Sequence, residues 1–292
     1  MFSNKKSLIL KSALFIATGI LLTACGNETS KEETVNAPAE DTVIASSGTE
    51  ELSYSLPSPL QIASIFKKSG LKYKDGITSS QKDPAKYTTN LSKALNLGVY
   101  SADLSYTVLN KQNQEAMTYM KLSRSMADNL GMSSVFEQGN LSKRFEKNLG
   151  NEDSLAYIIA ELQMVTDMYL DENDQQQITS IVFAGAWIES MYVGSKVYET
   201  GKDKSLNNKL TEQMTILESI VGALKSQEKK DAAITGLVVD LENIKTIYDA
   251  MPSVMKMAET EQAVETEMSL TDDEVNSLTK KIAELRTKFI NG

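Results

Sequence analysis

From Pro57 to the end of the chain, apolar residues return at every third or fourth position, punctuated by Gly, Pro and short polar runs. That period belongs to helices that bury one face. Ser58 and Pro59 make an N-cap and first-turn pair ahead of Leu60, Ile62, Ile65 and Phe66, and Gly70 is the stop. Residues 71–85 read as a loop before a longer helix from about Tyr87 to Leu109. A methionine-rich helix follows over 113–130, then a short one from about Leu141 to Leu149, closed by Gly150. Asn151 caps the next, with Leu155, Ile158, Ile159, Leu162, Val165 and Tyr169 as its stripe, and Asp171 to Asp174 form a polar turn. Helices over Gln177 to Thr200, Ser205 to Lys225 and Lys229 to Ala250 come next, the last two expected as an antiparallel pair. Pro252 ends that pair, and the acidic stretch to Met268 reads as a loop or small hairpin. Thr271, with Glu274 three residues on, is a capping-box spacing that opens a final helix through Leu278, Ile282, Leu285 and Phe289. No fixed period repeats, so the expected fold is all-α, an irregular multi-helix bundle of about eight to nine helices.

Two segments are apolar on more than one side, which marks them as central. The helix ending at Leu109 carries Leu91, Leu95, Gly98, Ala102 and Leu109 on one side and Leu97, Leu104 and Val108 on another. Its remaining face holds Asn96, Tyr100, Asp103 and Thr107, expected either to meet solvent or to line a cleft. The segment from Gln177 to Thr200 is apolar nearly all round and should be the buried hub. Within it, Ala184, Gly185 and Ala186 permit a close neighbour, and Glu189 in its middle argues against a membrane span.

The first 56 residues follow another pattern. Lys5, Lys6 and Lys11 precede an apolar run from Ala13 to Leu22, and Leu22, Thr23, Ala24 and Cys25 follow. The run is about half the 20 residues needed to span a bilayer. This order resembles a bacterial lipoprotein signal. The resemblance implies removal of residues 1–24, a diacylglyceryl thioether on Cys25 and acylation of the new N-terminus, so that membrane lipid holds the chain through Cys25. Residues 25–56, rich in Ser, Thr, Glu and Ala, read as the lipid anchor and a disordered tether with a reach of about 30 Å. Residues 57–292 are then one all-helical domain. Lys31, Glu32 and Glu33 resemble the acidic export signals of surface lipoproteins in Bacteroidota. Asp41, Thr42 and Val43 match the general O-glycosylation pattern of that group, which makes Thr42 a candidate acceptor.

Composition removes several chemistries. The chain has no histidine, and Cys25 is its single cysteine, so imidazole-activated nucleophiles, His/Cys metal sites and disulfides cannot be built. Loss of residues 1–24 removes three lysines and no acid, moving the net charge from −9 to −12. Only Arg124, Arg144 and Arg286 could grip phosphate bidentately, so nucleic acid is not an expected partner.

The motifs that survive are few. Asp171, Asn173 and Gln175 begin a calcium-loop spacing that fails at Gln176, where glycine is required, and at Val182, where a bidentate glutamate is required. No metal or cofactor is expected. Ser-x-x-Lys matches at Ser64, Ser226 and Ser277 lack companion motifs and read as helix-surface spacings. Met117, Met120, Met126, Met132, Met164, Met168 and Met191 read as core fillers, with an adaptable groove as the alternative. Asp103, Asp167 and Glu189 could supply an acid–base carboxylate pair if the fold joins them. Glu189 is the foremost candidate, because a buried carboxylate must be protonated or paired with a cation or donor from another helix. If its role is structural, glutamine should be tolerated there.

The stretches Ala94 to Tyr106, Gly150 to Ser154 and Phe183 to Ser190 are similar to a group of uncharacterised Bacteroidota lipoproteins. That resemblance implies location and class and brings no catalytic residue with it. The expected product is a lipid-anchored protein of the cell envelope, at the outer membrane on its periplasmic or surface face. It would act as a non-catalytic interaction or scaffold module toward another envelope protein. Two other classes stay open: a solute-binding lipoprotein that holds a small molecule, peptide or glycan between helices, and a carboxylate-based hydrolase. A closed core favours the first. A deep pocket lined by Tyr100, Tyr106 or Glu189 favours the second, and two carboxylates facing each other in a cleft favour the third.

Overall fold

The computed structural model describes residues 56–80, 83–227, 231–258 and 269–292. The signal, Cys25, Thr42, the tether up to residue 55 and the stretch 259–268 lie outside the described residues. In chain order the helices are α1 (Pro59–Lys68), α2 (Asn90–Leu109), α3 (Asn113–Asn129), α4 (Ser133–Glu137), α5 (Leu141–Lys147), α6 (Glu152–Glu172), α7 (Gln176–Gly201), α8 (Lys204–Ser226), α9 (Ala232–Asp249), α10 (Pro252–Ala258) and α11 (Asp272–Asn291). The bundle is all-α, and each of the nine helices expected from the sequence is present. The additions are α4, too short to show a period, and α10. Pro252 stands at the first position of α10 besides following α9, because its fixed φ suits a helix start as well as a stop.

Local chemistry sets the boundaries. Thr89 caps α2, its Oγ1 accepting from the Ser92 amide at 3.0 Å, so the helix begins at Asn90 and not near Tyr87. Asn151 caps α6 in the same way through the Ser154 amide at 3.0 Å. The polar turn after α6 falls at Asn173–Gln175, where Asp174 takes a positive φ of 55°, leaving Asp171 and Glu172 inside the helix. The Thr271/Glu274 capping box of α11 forms as the spacing predicts, and Glu274 also accepts from the Ser253 amide and hydroxyl at 2.8 and 2.7 Å.

At the centre α2 and α7 touch backbone to backbone. A Cβ on Gly98 would lie 1.9 Å from the Val182 carbonyl oxygen, and one on Gly185 would lie 2.0 Å from that of Leu95. Only glycine fits at either position, although each costs its helix about 1 kcal/mol relative to alanine. Around this contact α1 and α3 pack on α2, while α8 and α11 pack on α7. α9 closes against α8 and α11, and α6 bridges α2 and α7. The ion pairs Lys225–Glu242 and Lys245–Glu218 show that α8 and α9 run antiparallel. Trp187 is fully buried, its Nε1 donating to the Gln213 carbonyl at 3.2 Å, and anchors α7 to α8. Among the described residues no helix is long and apolar enough to cross a membrane.

The polar face of α2 does not meet solvent and lines no open cleft. Asn96, Tyr100, Asp103 and Thr107 are all fully buried. The reason is long-range cover: residues 71–80 lie over this face as a strap, and α11 returns from the far end of the sequence to pack against α7 and α2.

Candidate functional site

The chemistry-bearing side chains gather in two places, a sealed polar centre between α2, α7 and α11 and the outer side of α6. In the centre, Arg286 of α11 grips Glu189 of α7 with both arms, Nε to Oε2 at 2.6 Å and a terminal nitrogen to Oε1 at 2.7 Å. The same terminal nitrogen reaches the Ile77 carbonyl of the strap at 3.3 Å. One helical turn beyond Glu189, Tyr192 lays its ring under the guanidinium, 4.0 Å from the centroid. Burial works against charge on Arg286, but the Glu189 carboxylate outweighs it and holds the guanidinium above its usual value.

Asp103 of α2 faces this pair. It is fully buried, and its Oδ2 accepts from the Ser79 amide at 2.9 Å, while no donor reaches Oδ1 among the described residues. Burial pushes its carboxyl well above the ordinary range, and the negative charge of Glu189 adds to the push. A side-chain contact with Glu189 pushes the Asp103 carboxyl in the same direction. The centre therefore holds two carboxyl groups and one guanidinium. The opposite charges of Glu189 and Arg286 offset each other, the arrangement that makes their burial tolerable.

Tyrosines complete the enclosure. Tyr119 donates to the Ser79 carbonyl at 2.9 Å and Tyr87 to the Ile290 carbonyl at 3.1 Å, and Tyr100 hydrogen-bonds the Tyr87 hydroxyl. Burial raises the phenols of both Tyr100 and Tyr119. Tyr106 lies further along α2, accepting from the Lys74 amide at 2.7 Å and stacking on Tyr73 with centroids 5.8 Å apart. Burial pushes its phenol up to about 12. Tyr106 thus fastens the strap and lines no more than a small void beside it.

The structure brings together Asp103, Glu189 and Tyr100, sets Tyr106 beside them under the strap, and leaves Asp167 elsewhere. The sequence reading missed Arg286 as the partner of Glu189. A signal existed, since Arg286 stands four residues after Ile282 and eight after Leu278, inside the apolar stripe of its helix. Ser79 and Tyr87 gave no such signal, because loop residues follow no period.

The second place is α6. Its inner face buries Leu155, Ile158, Ile159, Leu162 and Val165, as the stripe requires. On the opposite face Tyr157, Met164 and Met168 are 67, 56 and 51 % exposed. The expectation that the methionines fill the core therefore fails at Met164 and Met168, which sit seven and eleven residues after Tyr157 and follow it round to the solvent side. It holds at Met120, Met126, Met132 and Met191. Beside the exposed stripe lies a cavity of about 40 Å³, lined by Ala160, Gln163 and Asp167 of α6 and by Ser101, Ser105 and Ser123 among others. The Ser123 hydroxyl is buried with no partner among the described residues. Gln163 donates to both oxygens of Asp167, at 2.9 and 3.0 Å; the residue as a whole is exposed, and the partial desolvation of its carboxyl against the cavity wall pushes it upward.

The calcium-like residues serve the turn after α6: Asn173 donates to the Tyr169 carbonyl at 2.7 Å and Asp171 accepts from Gln176 at 3.0 Å. Among the described residues no group of three or more acidic side chains is placed to hold a metal ion. No protein-family model matches the chain, and no curated protein or solved structure matches it.

Proposed function

We propose that the protein is a lipid-anchored member of the cell envelope, held at the outer membrane through acylated Cys25, and that it works as a non-catalytic interaction module. The observation that carries this reading is the Tyr157, Met164 and Met168 stripe, large apolar side chains held in water on a rigid helix. Two competing readings lose ground on geometry. A hydrolase needs water and substrate at its carboxyls, whereas Asp103 and Glu189 are fully buried and Glu189 is gripped by Arg286. A carrier of small molecules or glycans needs a site of several hundred Å³, whereas the cavity beside α6 has room for about three waters.

The test places a photoreactive residue at position 164 of the anchored protein in its own envelope, with position 239 on α9, also exposed, as the reference. Cross-links to a discrete protein from 164 and few from 239 are expected. Equal cross-linking from both would overturn the surface assignment. Alkyne fatty-acid labelling that survives Cys25→Ser would overturn the anchoring.

A further inference from the structure

We propose that the outer face of α6 receives a cationic amphipathic helix from another protein, the helix laying its apolar side on Tyr157, Met164 and Met168 and its lysines or arginines against the carboxylates that flank them. The proposal rests on the interaction-module reading and names the chemistry of the partner.

Three observations converge on it. The first is shape: Tyr157, Met164 and Met168 recur at intervals of seven and four residues, so they form a straight apolar rib along the helix, the counterpart of an i, i+4, i+7 stripe on a second helix. Methionine suits such a surface, being unbranched and able to fit irregular partners.

The second is charge. α6 carries Glu152, Asp153, Glu161, Asp167, Asp171 and Glu172 and neither lysine nor arginine. Glu161 is neutralised by Arg144 at 2.7 Å and Glu152 meets Lys111 at 3.9 Å. Among the described residues no lysine or arginine pairs with Asp153, Asp167, Asp171 or Glu172. The helical turn of 100° per residue puts Asp153 and Asp171 on one side of the rib and Glu172 on the other. A second copy of this chain would set these carboxylates against their equals, and an anionic bilayer would be repelled. A cationic helix alone gains from both the rib and its borders.

The third is the cavity. Ala160 and Asp167 are exposed and line it, so it reaches the surface at the edge of the rib. Inside, Ser123 is 1 % exposed and its hydroxyl has no partner among the described residues. A cationic side chain that enters past Asp167 finds a carboxylate at the mouth and unspent hydroxyl capacity within, at the place where a docked helix would present its flank.

The probe is a synthetic Leu/Lys amphipathic helix, fluorescently labelled and titrated by anisotropy against the full anchored chain in detergent. Saturable binding is expected, weakened about tenfold or more by Met164→Ser with Met168→Ser, a loss of about 1.4 kcal/mol or more. Asp167→Asn with Asp171→Asn should weaken it by a similar factor and flatten its salt dependence. A scrambled peptide of the same composition, equally charged but without an apolar side, should bind far more weakly. Equal binding of the scrambled peptide, or no effect of the methionine pair, overturns the proposal. So does self-association that the methionine pair abolishes, which would assign the rib to a second copy, or flotation with phosphatidylglycerol vesicles through α6, which would assign it to lipid. Cross-links from position 164 to a protein, combined with no peptide binding, would leave the interaction-module reading standing and remove the cationic partner. Loss of both removes both.

Discussion

The centre beneath the strap puts charge into an apolar interior, while the outer face of α6 puts apolar surface into water. Both arrangements are costly, and they differ in where the compensation comes from. In the centre the charged groups are answered mainly within the chain: Glu189 by Arg286, Asp103 Oδ2 by the Ser79 amide, and Arg286 additionally by Ile77 and Tyr192, while Ser79 Oγ, Asn96 Oδ1 and Asp103 Oδ1 have no partner among the described residues. On α6, Tyr157, Met164 and Met168 remain exposed, and four flanking carboxylates have no lysine or arginine among the described residues. The proposed interaction role accordingly rests on α6 and not on the buried polar cluster.

The comparison is most sharply broken by Arg286→Met. It leaves the Glu189 carboxylate buried without a cation, and removing one partner of such a pair costs about 3–5 kcal/mol. Urea denaturation should show that loss, and adding Glu189→Gln and Asp103→Asn in the same chain should restore most of it, because the buried charges then disappear together. Next comes Gly185→Ala, whose new methyl meets the Leu95 carbonyl. Backbone must move to admit it, and a loss of about 1–3 kcal/mol is expected in the same assay.

Asp103→Asn should act through pH. The folded Asp103 holds its proton above the pH at which the unfolded chain releases it, so its contribution to stability is complete below the unfolded value of about 3.9. It is lost at up to about 1.36 kcal/mol per pH unit as the pH rises toward the folded value. The wild-type protein should therefore lose stability relative to Asp103→Asn as the pH rises. Denaturation midpoints of the two proteins from pH 4 to 8 that run parallel would refute the upward shift of the Asp103 carboxyl.

The smallest effect belongs to Met164→Ser with Met168→Ser, which should leave the unfolding midpoint within about 0.5 kcal/mol of wild type. A large loss would mean that the rib is already covered within the molecule.

The sequence was most informative where one helix decides the outcome. The all-round apolarity of α7 and the two apolar sides of α2 located the core, and the small residues at Gly98 and Gly185 sit at the closest contact. It was misleading where cover arrives from far away. The polar face of α2 resembled a surface because its partners are residues 71–80 and α11, the latter nearly two hundred positions later, and periodicity carries no record of them. Glu189 was conspicuous as a carboxylate in the most apolar helix, but its occupation by both arms of Arg286 was not legible. That changes the expected consequence of substitution: glutamine would offer an NH₂ group where a second acceptor is needed, so it is not the mild replacement that shape alone suggests. Met164 and Met168 differ from the buried methionines in position and not in type, since the helical period carries them to the solvent side with Tyr157.

The position of Arg286 also has a temporal meaning. Until α11 docks, Asp103 and Glu189 have no cation to close around. Asn96 and Tyr87 wait equally for the carbonyls of Phe289 and Ile290. The contact between α2 and α7 can form early, but its polar side can be sealed only by the last helix described. A chain without α11 would therefore leave Glu189, Asn96 and Tyr87 without the partners that close the centre.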